Sequence, residues 1–343
     1  MKEMFETDRY LENLYKKNVP NWDFHARTPE EWQTWREGLK ERFIRIMGGF
    51  PTRKTDLNPR VIEEKVFDSY IRQRIVYTTD EELHVPAYLL IPKNAKGKLP
   101  AVIACHGHGY GSREIVGLKP DGSENEGDPG YQKNFALELV KRGFLVIAPD
   151  LFGFGDRRLK EDREKSLEQS SCDRVSTFLL MLGKTTAGVR VWDIIRTVDY
   201  LTTRDDVDPE RIGCMGISGG GLVCGFATAV DERIKASVVS GYVNTFRDSV
   251  MAMHHCVDNF LPAMLDAAEM PSIIGLIAPR PLLIEAGTRD PIFPILAVRK
   301  AYALLESIYG VLGEEEKLDI DIFEGDHQIS GRKAYAWFER WLG

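Results

Sequence analysis

The sequence predicts an α/β fold: a mostly parallel central sheet covered by helices on both faces, preceded by a helical N-terminal extension. Three observations lead there. Short, nearly continuous apolar runs recur at 100–105, 144–148 and 281–285, as expected of strands buried on both faces. Stretches of helical periodicity alternate with them, which is the pattern of parallel βαβ units. No internal repeat, low-complexity tract or long Pro/Gly/Ser linker divides the chain.

Taken in order, the first element is a helix. Thr28-Pro29-Glu30-Glu31 has the form of a capping box with proline at the first helical position. Trp32, Trp35, Leu39, Phe43 and Ile46 then fall on one helical face, and Gly48-Gly49 ends it. From about residue 60 the pattern changes to consecutive strands at 61–67, 71–77 and 85–91, with Asp80-Glu81 in a turn. Alternation follows: strand 100–105, helix 131–142, strand 144–148, helix 189–201, strand 211–215, helix 222–230 and strand 236–240. The series closes with strand 281–285, helix 296–307, strand 318–323 and helix 330–341. Residues 1–59 thus read as a helical extension and 60–343 as the main domain. Two insertions, about 157–186 and 247–272, sit at carboxyl ends of strands, where such sheets place their sites.

Composition narrows the classes of function. The 343 residues are 43% hydrophobic and 28% charged, with a net charge of −7. That acidity argues against a nucleic-acid backbone binder. No apolar run approaches the roughly 20 residues of a membrane span. The first residues carry acids where a secretory signal would carry an apolar core, so the expected location is cytoplasmic. The five cysteines are an odd number and include no Cys-x-x-Cys pair. Reduced thiols are expected, with neither a disulfide framework nor a thiolate zinc site. A homo-oligomer is compatible with everything seen so far.

Chemistry concentrates at a few strand ends. Gly216-Ile217-Ser218-Gly219-Gly220 lies between a strand and a helix, the setting of a nucleophile elbow. The turn is so sharp that side chains two positions either side of the serine would collide. A serine nucleophile needs a base, and the base needs an acid to hold its tautomer. His327 follows the strand 318–323, and Asp290 follows the strand 281–285. The chain order Ser218, Asp290, His327 fits this arrangement. Asp326 competes as the acid, but a sequence neighbour seldom reaches the Nδ1 of its own histidine. Oxyanion donors are expected from the Gly219 N–H and from the Gly-rich loop His106-Gly107-His108-Gly109, where His108 is the candidate.

Other readings of these residues are weaker. His106-x-His108 could be a metal pair, but no nearby Asp-His continuation completes it. The side chains of His254-His255 should diverge. Gly183-Lys184-Thr185 lacks the glycine that a phosphate loop needs at position 178, which is phenylalanine. No cofactor and no metal are expected.

These motifs resemble the α/β-hydrolase superfamily, in its acetyl xylan esterase-like and dienelactone hydrolase-like branch, over residues 60–343. The resemblance rests on the His106–Gly109 loop, the Pro149-Asp-Leu-Phe-Gly-Phe-Gly-Asp156 segment and the Val207–Gly220 strand and elbow. It rests further on Ala278-Pro-Arg-Pro-Leu-Leu-Ile284, Asp290-Pro-Ile-Phe-Pro294 and Gly325-Asp-His-Gln328. It implies a serine esterase with nucleophile Ser218, acid Asp290 and base His327, acting on a small-molecule ester. The chain departs from the deacetylase pattern at His108, where those enzymes often carry tyrosine. A prolyl-oligopeptidase-like peptidase shares the elbow but usually carries a β-propeller, for which this chain has no repeats. A lactone hydrolase is a further alternative, and a non-enzymatic binding protein fits poorly with an intact triad. The acyl pocket is expected to be short, lined by Met253, His254 and Phe260 from the second insertion.

Overall fold

The computed structural model describes residues 6–93 and 97–343. Residues 1–5, part of the predicted extension and of the acidic start, lie outside the described residues. Nine strands form a single sheet among the described residues: β1 Arg60–Val66, β2 Tyr70–Asp80, β3 Leu83–Pro92, β4 Leu99–Cys105, β5 Leu145–Pro149, β6 Val207–Ile217, β7 Ile234–Ser240, β8 Leu282–Gly287 and β9 Leu318–Phe323. Their order is β1-β2-β3-β5-β4-β6-β7-β8-β9. The first three pair antiparallel, β3 meets β5 antiparallel, and every pair from β5 to β9 is parallel.

Alternation in the central strands explains the two-sided burial. Ala101, Ile103 and Cys105 of β4 enter one apolar cluster, while Val102 and Ala104 enter the other. In β5, Leu145 and Ile147 face the first cluster and Val146 and Ala148 the second. A strand with no polar face must be covered on both sides. At the edge, β1 is exposed along its whole length.

The helices are α1 Thr7–Lys17, α2 Pro29–Ile46, α3 Ser112–Ile115, α4 Phe135–Lys141, α5 Cys172–Met181, α6 Thr186–Thr202, α7 Gly219–Val230, α8 Met264–Ala267, α9 Met270–Gly275, α10 Ile295–Leu312 and α11 Ala334–Leu342. In α2 the five spaced apolar residues from Trp32 to Ile46 are the buried ones, and the Thr28 side chain accepts from the Glu31 N–H. Phe43 meets Phe226 of α7 edge to face at 4.9 Å, so α2 shares the core of the sheet domain. No residue of α1 is buried.

Two helices start later than the sequence expectation. The helix expected from 131 begins at Phe135, because Lys133 and Asn134 take positive φ values of 52° and 48° and turn the chain first. That turn leaves Tyr131 free to enter the site. The helix expected from 330 begins at Ala334. Before it, the Ser330 and Gly331 N–H groups are given to the Glu285 carboxylate.

Strand order reverses at the centre of the sheet. The chain passes from β4 to β5 on one side, then returns across β4 to β6 on the other. The crevice at such a switch, outside the carboxyl ends of the strands, is where α/β sheets bind ligands. His108 follows β4 there, and Ser218 follows β6.

Candidate active site

Ser218 sits between β6 and α7 with φ 57° and ψ −125°, a conformation that L-residues rarely adopt. Its neighbours make room. A Cβ at Gly216 would lie 2.2 Å from the Gly220 carbonyl oxygen, and one at Gly220 would lie 2.1 Å from the Cys105 carbonyl oxygen. The Ser218 N–H donates to Ser240 O of β7 at 3.0 Å, which fixes the elbow to the adjacent strand.

Asp290 and His327 meet in the loops after β8 and β9. His327 Nδ1 lies 2.6 Å from Asp290 Oδ2. A carboxylate partner there puts the ring proton on Nδ1 and leaves Nε2 as acceptor. Among the described residues Nε2 has no hydrogen-bond partner, although it is buried. Asp290 is itself oriented, since its Oδ1 accepts the Ile292 and Phe293 N–H groups at 2.8 and 3.0 Å. The rival Asp326 is exposed and pairs with Arg289. The His327 ring is stacked between Tyr131 and Phe293, with centroids 5.7 Å away on each side. Gly241 backs it, for a Cβ there would stand 3.0 Å from the ring.

The loop after β4 is held by its neighbours. His106 is fully buried, its Nδ1 bonded to Gly107 O at 2.7 Å and its Nε2 accepting the Leu151 N–H at 3.0 Å. Burial pushes this imidazole down to about 4, so it is a neutral brace between β4 and β5. With both nitrogens engaged it forms no metal pair with His108. Gln132 Oε1 takes the Gly107 N–H at 2.7 Å, and the Tyr131 hydroxyl donates to His108 O at 2.6 Å. The His108 and Gly219 N–H groups find no partner among the described residues. In the Pro149–Asp156 segment, Asp150 is a brace too. It accepts from Ser112 and from Arg74. Burial opposes its charge, but Arg74 beside it prevails and holds the carboxyl at about 2.

These groups open onto one cavity of about 450 Å³. Its walls include Ser218, Gly219, His327, His108 and Tyr131, joined by Ser170 and Asp173 of the first insertion and His254, His255, Cys256 and Asn259 of the second. A larger groove of about 850 Å³ beside α2 is lined by no Ser, Cys or His.

Of the three residues expected to line an acyl pocket, His254 lines this cavity. Met253 and Phe260 are not among the lining residues, which corrects the expectation. Phe260 is 42% exposed and faces a separate groove with Phe246, Val250 and Leu261. The reason lies between them. Asp258 is drawn inward by the buried Arg190, and the short 3₁₀ turn Val257–Asn259 sends Phe260 the other way. Tyr131 was missed because its neighbourhood reads as helix; Pro129-Gly130 just before it was the available turn signal.

Among the described residues, one set of side chains could hold a metal ion. The donor atoms of His108, Cys172, Cys256 and Asp258 all lie within 4.8 Å of one another.

A strand-end serine elbow, an acid-bound histidine and a central switch crevice define the hydrolase class of α/β folds. The chain belongs to the Abhydrolase family, whose sequence model matches residues 4–311. It is 28% identical over 316 residues to the Bacillus subtilis (strain 168) protein named "Putative hydrolase YtaP", covering 88% of this chain and 98% of that one. Its fold superposes with a TM-score of 0.80 on a Bacteroides fragilis structure described as "a putative acetyl xylan esterase", at 18% identity over 97% of this chain and 89% of that one. A glucuronoyl esterase from Solibacter usitatus superposes with a TM-score of 0.68 at 14% identity, over 96% and 100%. At these identities the two structures establish a shared fold.

Proposed function

We propose that the chain is a serine carboxylic-ester hydrolase that works through an acyl-enzyme on short-acyl esters of small polar alcohols, sugar esters among them. The observation that carries this is the Asp290–His327 hydrogen bond opening onto the same cavity as the Ser218 elbow. Ser218 Oγ attacks the ester carbonyl while His327 Nε2 takes its proton. Asp290 stabilises the imidazolium without becoming protonated itself. The Gly219 and His108 N–H groups receive the oxyanion; such a donor typically contributes about 10²–10³ in kcat. His327 then protonates the leaving alcohol, and water, activated by the same ring, releases the acid.

In this reading both insertions roof the site. The lining they supply, Ser170, Asp173, His254, His255 and Asn259, is polar. It suits an alcohol with hydroxyl groups, and the Asp173 carboxylate disfavours an anionic one. An open apolar cleft would gain about 0.8 kcal/mol for each added methylene; a cavity of about 450 Å³ roofed by the insertions limits that gain to the acyl atoms it can enclose. The name of one structural neighbour, acetyl xylan esterase, agrees with the reading of a short acyl group on a sugar alcohol, whereas glucuronoyl esterase names the sugar as the acyl part. A cytoplasmic location belongs to the same proposal. Among the described residues no helix is long and apolar enough to cross a membrane.

The test is a p-nitrophenyl ester series together with fluorophosphonate labelling. kcat/KM should fall beyond about four acyl carbons as chain atoms overfill the cavity. Ser218→Ala should abolish labelling and cost about 10⁶ in kcat. Phe260→Ala should leave the chain-length profile unchanged, since that ring faces elsewhere. A steady rise through the octanoate, or a Ser218→Ala variant keeping a tenth of the activity, overturns the proposal.

A further inference from the structure

We propose that His108, Cys172, Cys256 and Asp258 form a closed four-coordinate site for a divalent transition-metal ion, Zn²⁺ by its donor set, tying the oxyanion loop to both insertions. None of these side chains takes part in the proton transfers of the proposed reaction. They come from three separate segments: the loop after β4, the first residue of α5, and the Cys256-x-Asp258 stretch after β7. No short-range spacing advertises them, which is why the sequence suggests no thiolate site.

Geometry is the first support. Zinc bonds of about 2.3 Å to sulfur and about 2.0–2.1 Å to nitrogen or oxygen set ligand-to-ligand edges of about 3.3–3.8 Å in a tetrahedron. Here all four donor atoms lie within 4.8 Å of one another. His108 Nε2 is 3.8 Å from Asp258 Oδ2, and Cys172 Sγ is 2.9 Å from the same oxygen. Movements of a few tenths of an ångström to about one ångström complete the polyhedron.

The second support is an orphan. His108 Nε2 is buried with no hydrogen-bond partner among the described residues. Its ring is oriented by packing alone, edge to face on Phe154 at 5.0 Å. A buried ring nitrogen without a partner is costly, and coordination would satisfy it.

Charge is the third. Zn²⁺ with two thiolates, one carboxylate and a neutral imidazole carries a net −1. Arg190, fully buried, stands against this set and donates to both Asp258 Oδ2 and, at 3.1 Å, Cys172 Sγ. One guanidinium brings the half-buried assembly to neutrality, as its buried half, Cys172 and Asp258, requires. Asn259 Nδ2 donates to Asp258 Oδ1 at 2.8 Å, orienting the carboxylate so that Oδ2 faces the other donors. Such outer partners usually accompany a metal ligand. Two thiolates and an imidazole select zinc over magnesium or calcium. Four protein donors leave no open position, so the ion acts as a clip and supplies no chemistry. Binding releases the Cys172 and Cys256 thiol protons to solvent.

The full-length chain, purified without chelator or reductant, tests this. Zinc is measured by mass spectrometry in the wild type, Cys172→Ser and Cys256→Ser, and the stripped wild type is titrated with Co²⁺. About one zinc per chain is expected in the wild type, falling at least about tenfold in each variant. Co²⁺ should give a thiolate charge-transfer band and intense tetrahedral ligand-field bands, a readout that does not depend on the variants folding. The proposal is overturned by a wild type that binds less than about a tenth of an equivalent after Zn²⁺ addition. It is equally overturned by a weak octahedral Co²⁺ spectrum, by zinc retained in both variants, or by a Cys172–Cys256 disulfide in the isolated chain.

Discussion

Ser218 and the Asp290–His327 pair are held in place by opposite means. The elbow is a backbone device. Its serine is aimed by φ and ψ, by the Ser240 carbonyl, and by the missing Cβ atoms of Gly216 and Gly220. The proposed acid–base arm is a side-chain device: Asp290 is pinned by two N–H groups and His327 is stacked between two rings. Backbone placement has little give, because a new atom meets carbonyl oxygens that cannot swing away. Side-chain placement can be loosened by degrees, since rings slide and carboxylates rotate.

That contrast can be broken experimentally, beginning with its stiff end. Gly220→Ala should act as an all-or-none lesion. Its Cβ would lie 2.1 and 2.5 Å from the Cys105 and His106 carbonyl oxygens, so overpacking should cost about 3 kcal/mol or more. Thermal unfolding and esterase assays should show stability and activity lost together. Retention of both would mean that the elbow is softer than described.

Asp290→Asn should keep the fold and lower kcat by about 10⁴, by favouring the wrong imidazole tautomer. Asp326→Asn, altering an exposed carboxylate beside Arg289, should change kcat by less than about twofold, as surface ion pairs do. Equal damage from the two would displace Asp290 as the acid.

Gly241→Ala probes graded loosening. The new Cβ would stand 3.0–3.1 Å from the His327 ring at a φ of 51°. A displacement approaching 1 Å should cost up to about 10² in kcat, with fluorophosphonate labelling slowed and still measurable. Complete loss would place the arm in the same rigid class as the elbow.

The last effect, on stability alone, concerns Glu285, which joins the two devices. Its carboxylate accepts from Ser240 Oγ on the elbow side and from Ser330 and Gly331 N–H on the His327 side. Burial raises it from 4.5 to about 7. The folded form therefore holds the proton more tightly than the unfolded one, and this contribution to stability is full below about pH 4.5 and lost as pH rises through about 7. Glu285→Gln cannot ionise. Its unfolding temperature relative to wild type should climb between pH 5 and pH 8, by an amount equivalent to at most about 3 kcal/mol. A gap independent of pH would show that Glu285 is ionised throughout.

The same contrast explains what could be read from the residues alone. Strand ends are legible because apolar periodicity locates them and sheet geometry says where they point. Ser218, Asp290 and His327 were reached that way, as was the buried face of α2 from Trp32 to Ile46. Irregular segments have no period, so a residue's polarity does not give its direction. Met253 and Phe260 read as cavity residues because they are apolar, whereas the inward-facing residues of that stretch are His254, His255, Cys256 and Asn259. Tyr131 was hidden by two left-handed residues, Lys133 and Asn134, inside a stretch of good helix formers. The cluster of His108, Cys172, Cys256 and Asp258 is assembled entirely by tertiary contacts.

The backbone at position 218 has an implication for engineering. A serine at φ 57° and ψ −125° occupies a region that costs of order 1–3 kcal/mol for a residue with a Cβ. Glycine would relieve most of that strain, so the cheapest stabilising substitution in the neighbourhood is the one that removes the proposed nucleophile. A screen that ranks variants by melting temperature alone would reward Ser218→Gly and, under the proposed mechanism, drift toward proteins of this fold that no longer hydrolyse. Thermostabilisation of this chain therefore has to be selected on turnover and heat resistance together.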